Sequence, residues 1–154
     1  MSERIALPTL LAQAKEAAIA ELHARMAGEG FTDIRSSHGC VFAFIDPEGG
    51  SRLTYLADRS GLTKQAVGEA VDDLEERGYV RRAPDPLDKR AKIIKLTERG
   101  DAALATSKRI FDEIERDWQE QLGEDIVVAL RSALERLRRV GAEEPGATPA
   151  RLRG

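Results

Sequence analysis

Leu53 to Gly100 reads LTYLADRSGLTKQAVGEAVDDLEERGYVRRAPDPLDKRAKIIKLTERG, and this stretch decides the fold. Its first run, Tyr55-Leu56-Ala57-Asp58-Arg59, is a short helical pattern with Thr54 placed to cap the open N–H groups. Gly61 ends it, because glycine takes the positive φ of a tight helix exit without a Cβ clash. Leu62 is expected to tuck into the corner, and Thr63 to cap a second helix from Lys64 to Arg77. On that helix Val67, Ala70, Val71 and Leu74 recur at three- and four-residue spacing and make one buried stripe. Small Ala57 and Ala70 suit two helices that cross at close approach, and Gly78 stops the second one. Lys64, Gln65, Gly68 and Asp72 lie off the stripe, on the outward face.

Beyond Gly78, the runs Tyr79-Val80-Arg81-Arg82 and Ala91-Lys92-Ile93-Ile94-Lys95-Leu96 read as strands. They flank Ala83 to Arg90, which holds two prolines and two aspartates, so the pattern predicts a β-hairpin with a long loop. Arg77 to Lys95 carries seven Lys or Arg against two Asp, a local charge of +5 in a chain whose net charge is −3. Positive charge is thus concentrated on the hairpin. Two helices meeting at a glycine turn, followed by a cationic hairpin, can lay one helix in a major groove and the hairpin on the flanking backbone. The acidic run Asp72-Asp73-Glu75-Glu76 reads as a solvated helix face.

The run from Gly61 to Gly100 resembles the winged helix-turn-helix of the MarR family of bacterial transcription regulators. Asp88-Lys89-Arg90 matches that family's D-x-R wing signature, and Leu96-Thr97-Glu98-Arg99-Gly100 its usual entry into the next helix. The resemblance implies a mainly α fold with a small β-hairpin wing and a dimerisation region built from the terminal helices. It also implies a homodimeric repressor that binds a palindromic operator in duplex DNA and is released by a small-molecule effector. Thr63, Lys64, Gln65 and Gly68 correspond to the groove-facing start of the recognition helix, Arg90 to the wing-tip arginine that enters a minor groove, and Asp88 to the carboxylate that orients it. Arg77 and Lys89, in the same basic segment, complete the expected DNA contacts. Many relatives carry a basic or hydroxyl residue where this chain has Gly68-Glu69. Glu69 can accept a hydrogen bond from a cytosine amino group, or it can merely repel phosphates.

Further helices frame this core. One is expected from Pro8 to Ala27, with Leu11, Ala14, Ala18, Leu22 and Met26 along one face. A second is expected from Asp33 to Ile45 behind Thr32. A long one from Thr97 to Gln121 places Leu104, Phe111, Ile114, Trp118 and Leu122 on one side. The last, from Glu124 to Val140, carries Ile126, Leu130, Leu134 and Leu137, with Val127 beside them. The expected organisation is a helical dimerisation region over 1–30 and 97–142, a DNA-binding region over 31–96 and a flexible tail over 143–154.

With 42% hydrophobic residues in 154 the chain can build a core, and with 5% aromatic it must do so mainly by aliphatic packing. Met1 to Pro8 shows no basic start followed by an apolar run, and no span approaches ~18 apolar residues, so a cytoplasmic protein with no membrane contact is expected. His23 and His38 are the only histidines and Cys40 the only cysteine, so no zinc spacing, internal disulfide or cofactor is expected. No nucleophile elbow or phosphate loop points to an enzyme.

The resemblance places an effector cleft beside the second helix, which makes His38, Phe42 and Phe111 candidate effector contacts. The ordinary reading of each is a core or interface residue. Two alternatives stand beside the repressor. One is a redox-sensing regulator acting through Cys40, which needs an exposed thiol of lowered pKa. The other is a winged-helix protein-interaction module, which has no use for a cationic wing.

Overall fold

The computed structural model describes residues 4–143, so most of the expected tail, 144–154, lies outside the described residues. The chain divides into two compact units, the first reaching Asp112 and the second starting at Glu113. In the first, α1 spans Leu7–Gly28 with Pro8 in its opening turn, where a missing N–H is no loss. Its apolar face reaches the core only at Leu22 and Met26, while Leu7, Leu10 and Leu11 stay exposed.

The expected helix from Asp33 to Ile45 is not continuous. A one-turn 3-10 helix, Ser36–His38, is followed by the single turn α2, Gly39–Phe42. Long-range bonds hold the front of this segment out of a helix. The Asp33 carboxylate accepts from the Tyr79 hydroxyl at 2.5 Å and from Arg99 at 3.1 Å. Arg35 is extended, and its N–H donates to Nδ1 of His38 at 3.0 Å. Downstream, Asp46 precedes a proline, which disfavours the helical region.

α3 (Leu53–Ser60) starts two residues earlier than expected. Thr54 falls inside its first turn, and the capping position belongs to extended Arg52, whose side chain is occupied elsewhere. Gly61 turns the chain with φ +70°, and Leu62 stays half-exposed instead of filling the corner. α4 (Lys64–Glu76) is capped by Thr63, whose hydroxyl accepts from the Ala66 N–H at 3.1 Å. Val67, Ala70, Val71 and Leu74 are all buried. Full burial of the two valines and the leucine is worth roughly 1.5–3 kcal/mol each.

The hairpin is tighter than a long loop. β1 (Val80–Asp85) and β2 (Asp88–Leu96) pair antiparallel from Val80↔Leu96 to Asp85↔Asp88, leaving Pro86-Leu87 as the turn. Pro84 can sit in β1 because a strand edge tolerates a missing N–H. Asp85 closes the tip by accepting from the Leu87 N–H at 2.8 Å and from Arg52 Nε at 2.7 Å. Ser51 adds a bridge to the sheet through paired backbone bonds with Ile94.

Tyr79 is wholly buried at the root of the hairpin, against Phe31 and Phe42, with the Arg99 guanidinium 4.4 Å from its ring centre. α5 (Glu98–Leu122) passes so close that a Cβ on Gly100 would lie 2.0 Å from the Tyr79 carbonyl oxygen. Within the first unit α5 buries Ala103, Leu104 and Ile110. In the second unit, Ile114 of α5 and Val127 of α6 (Glu124–Glu143) are buried, and Arg131 pairs with Glu115. Ile126, Leu130, Leu134, Leu137 and Val140 of α6 are exposed.

Candidate nucleic-acid interface and adjoining cavity

α4 buries one stripe and turns the other outward. Thr63, Lys64, Gln65 and Glu69 are exposed there, and Gly68 is half-exposed. Gln65 Nε2 donates to Glu69 Oε1 at 3.4 Å, one helical turn away. The acidic run on the same helix is exposed at Asp72, Glu75 and Glu76, as its sequence suggests, but three of its four carboxylates are ion-paired. Asp73 accepts from Arg77 Nε at 2.8 Å, while Asp72 and Glu75 accept from the Arg82 guanidinium at 2.6 and 2.9 Å. Arg77 and Arg82 are therefore tied to α4, and the +5 of the hairpin segment is partly neutralised at its base. The hydrogen bond to Asp73 is the main reason that Arg77 binds its proton even more tightly than usual.

The wing tip keeps its charge. Lys89 is exposed, and the Arg90 side chain is 95% accessible. Asp88 Oδ1 accepts from the Arg90 backbone N–H at 3.0 Å but lies 3.7 Å from Arg90 Nε, beyond a good hydrogen bond. Asp88 thus sets the backbone at Arg90 and holds the guanidinium only loosely. Behind the tip, the Leu87 N–H and then Arg52 keep the buried Asp85 carboxyl below its ordinary range.

Between α1, the segment 34–44, the end of α3 and the first half of α5 lies a cavity of about 610 Å³, all of it within the first unit. Leu22, Met26, Leu104 and the rings of Phe42 and Phe111 make its walls largely apolar. Lys15, Arg35, Lys108 and His23 also line it, against one carboxylate, Glu16. Residues 34–37, 39 and 40 face this space. His38, in the middle of that segment, does not.

His38 is the correction among the candidate effector contacts. It is fully buried and points away from the cavity, with Nε2 at 2.7 Å from Asp73 Oδ2 on α4. Because Nδ1 accepts from the Arg35 N–H, the single proton of a neutral ring sits on Nε2 and donates to Asp73. Burial pushes the pKa of His38 below its ordinary value despite the nearby carboxylate. The hydrogen bond from Arg77, then that from His38, lowers the pKa of Asp73. Cys40 lines the cavity but is buried, donates its thiol to the Ser37 carbonyl at 3.2 Å, and has its pKa raised by burial. A thiol reactive toward peroxide needs the opposite environment.

The model of the MarR family matches residues 30–91, the segment that contains α2, α3, α4 and the wing tip. These residues belong to the MarR family. The transcriptional regulator HosA of Escherichia coli O111:H- is 31% identical over 86 residues, 56% of this chain. The match spans 64% of HosA, just under two thirds of its length. Among solved structures, the transcriptional repressor CouR bound to a 23-mer DNA duplex is 27% identical, with TM-score 0.72 over 86% of this chain and 92% of that one. CouR from Rhodococcus jostii RHA1 bound to p-coumaroyl-CoA is 24% identical, with TM-score 0.67 over 90% of this chain and 92% of that one, a likeness of fold.

Within the MarR-type unit, the outward face of α4 and the wing tip stand where the pattern of caps and charges placed them. The His38–Asp73 bond, the Arg52–Asp85 clamp and the cavity cations were not apparent in the sequence. The first pair joins residues 35 positions apart and the second 33, and no periodicity links either. Among the described residues no three His, Cys, Asp or Glu side chains converge as a metal site. No described helix is long and apolar enough to cross a membrane.

Proposed function

We propose that this MarR-family chain is a homodimeric repressor that binds a palindromic site in duplex DNA and lets go when a small molecule fills its cavity. The observation that carries the DNA reading is the outward face of α4, polar and exposed, combined with a wing tip that presents Lys89 and Arg90. Thr63, Lys64, Gln65 and Gly68 would enter the major groove, and Arg90 the neighbouring minor groove, steadied at its backbone by Asp88. Arg77 would act less as a contact than as the brace of Asp73. A protein-interaction module would leave the cationic tip without a purpose.

The exposed apolar residues of α6 and of the start of α1 support a homodimer, since two copies can read half-sites about one DNA turn, ~34 Å, apart. The cavity supports an effector: Phe42 and Phe111 offer apolar walls, and the lining cations favour a ligand that carries negative charge. CouR, bound to p-coumaroyl-CoA in one structure and to DNA in another, is a relative with both partners. Such a protein would work in the cytoplasm, beside its DNA.

The deciding experiment titrates the protein against a labelled duplex from upstream of its own gene, followed by anisotropy, with and without oxidant. Saturable binding that survives competitor DNA supports the reading, and binding no better than to random duplex would end it. Release by oxidant that vanishes in Cys40→Ser would instead favour the redox alternative. Gln65→Ala should cost roughly 1–3 kcal/mol on the preferred site and little on random DNA.

A further inference from the structure

Gly68 has no role inside the protein. It sits in the interior of α4 with an ordinary negative φ, and a Cβ there would meet nothing nearer than Leu53 Cδ1 at 3.8 Å, an ordinary contact. Gly100 is the counter-example, where the Tyr79 backbone leaves no room for any side chain. Alanine would fit at Gly68 and would favour the helix, so glycine there is a local weakness without an internal reason. Nothing within the protein requires glycine there, and the half-exposed Gly68 borders the outward face.

On that side Gln65 and Glu69 flank the gap and hydrogen-bond to each other. Together they make a side-chain-free notch beside an amide and a carboxylate. The carboxylate distinguishes the site. Asp72 is engaged by Arg82, and Asp73 by Arg77 and His38, so neither is left facing outward alone. Glu69 is held by the exposed amide of Gln65 and keeps acceptor capacity for an incoming donor. In a major groove a carboxylate is repelled by phosphates unless it accepts from a base amine, and the amine that suits it is N4 of cytosine.

Resting on the DNA-binding reading above, we propose that Gly68 and Glu69 form a notch that seats the edge of a G·C pair. Gly68 allows the helix backbone to approach, and Glu69 accepts from the cytosine N4 amino group. The two residues then set the base preference at one position of each half-site.

The test begins with selection of binding duplexes from a randomised library by the full chain. Enrichment of no sequence would remove the DNA reading itself. If a site is enriched, each half should contain one G·C pair whose exchange for A·T weakens the unmodified protein about tenfold or more. Glu69→Gln should lose that discrimination while still binding. Gly68→Ala should raise Tm by about 2–4 °C, which also proves it folded, yet weaken binding to the selected site about tenfold. The notch is wrong if Gly68→Ala binds as tightly as the unmodified protein, or if it melts lower. It is equally wrong if Glu69→Gln keeps the same base profile at every position.

Discussion

α4 and α6 carry the same kind of apolar stripe and meet opposite fates. Val67, Ala70, Val71 and Leu74 of α4 are covered by their own chain, three of them completely. α6 repeats the pattern with Ile126, Val127, Leu130, Leu134 and Leu137, and of these only Val127 is buried. Periodicity therefore says that a helix has an apolar face and not which chain covers it. A row of exposed leucines is costly to hydrate, and patches of this kind mark places where another protein surface belongs. The outward face of α4 and the wing also end in solvent, but they are polar and cationic at the tip, so the partner that suits them is an anion.

The largest effects should separate the two stripes. Leu74→Ala removes a fully buried side chain and should cost about 2–5 kcal/mol, the same at every protein concentration. Leu134→Lys puts a charge on the exposed stripe. If a second copy covers α6, the dimer should split, because burying an unpaired charge costs several kcal/mol, and melting should lose its dependence on concentration. Light scattering that finds the unmodified protein monomeric would break the contrast outright, leaving α6 an exposed face without a second copy.

A smaller effect probes how the buried side of α4 is tied to the cavity wall. His38 has a folded pKa below its ordinary 6.5, so between those two values the unfolded chain binds more protons than the folded one. Stability contributed by neutral His38 is thus full above about pH 6.5 and declines as pH falls, by at most about 1.4 kcal/mol per unit. Asp73 acts in a separate window, since its contribution is present above its ordinary 3.8 and is lost only as pH falls through its lowered value. Thermal melts between about pH 7.5 and 5.5 should show the decline, and His38→Gln should flatten it. An unchanged slope in the variant would mean that another group titrates there.

The parts legible in the sequence are those set by neighbours along the chain. The Thr63 cap, the Gly61 exit, the α4 stripe and the charge of the wing tip each depend on residues within a few positions. The helix expected over Asp33 to Ile45 failed because Asp33 answers to Tyr79 and Arg99, and His38 to Asp73, all far away in sequence. The long loop expected after Arg82 failed likewise, since Arg52 and the Leu87 N–H gather the Asp85 carboxylate and close the tip. Phe42 and Phe111 were placed at the cavity through the family resemblance, whereas its cations Lys15, Arg35 and Lys108 carry no pattern that would single them out.

The smallest expected effect lies at the wing, where it tests whether the exposed tip is a shaped contact or a diffuse charge. Arg90 is almost fully accessible, so its contribution should be electrostatic and sensitive to salt. Arg90→Ala should weaken binding to every duplex and flatten the slope of log affinity against log salt by about 1. Asp88 discriminates between the two pictures. Charge counting says that Asp88→Ala, which removes a negative group beside the DNA, should tighten binding. The geometry says otherwise, because Asp88 accepts from the Arg90 backbone N–H at 3.0 Å and fixes the direction in which the arginine leaves the strand. Without that bond the backbone at Arg90 is free to move in the unbound protein and must be ordered on binding, a cost the unmodified wing has already met. Asp88→Ala should therefore bind more weakly than the unmodified protein, and Asp88→Asn, which keeps an acceptor oxygen without the charge, should recover most of the loss. Tighter binding by Asp88→Ala would reduce the wing to a diffuse cationic patch.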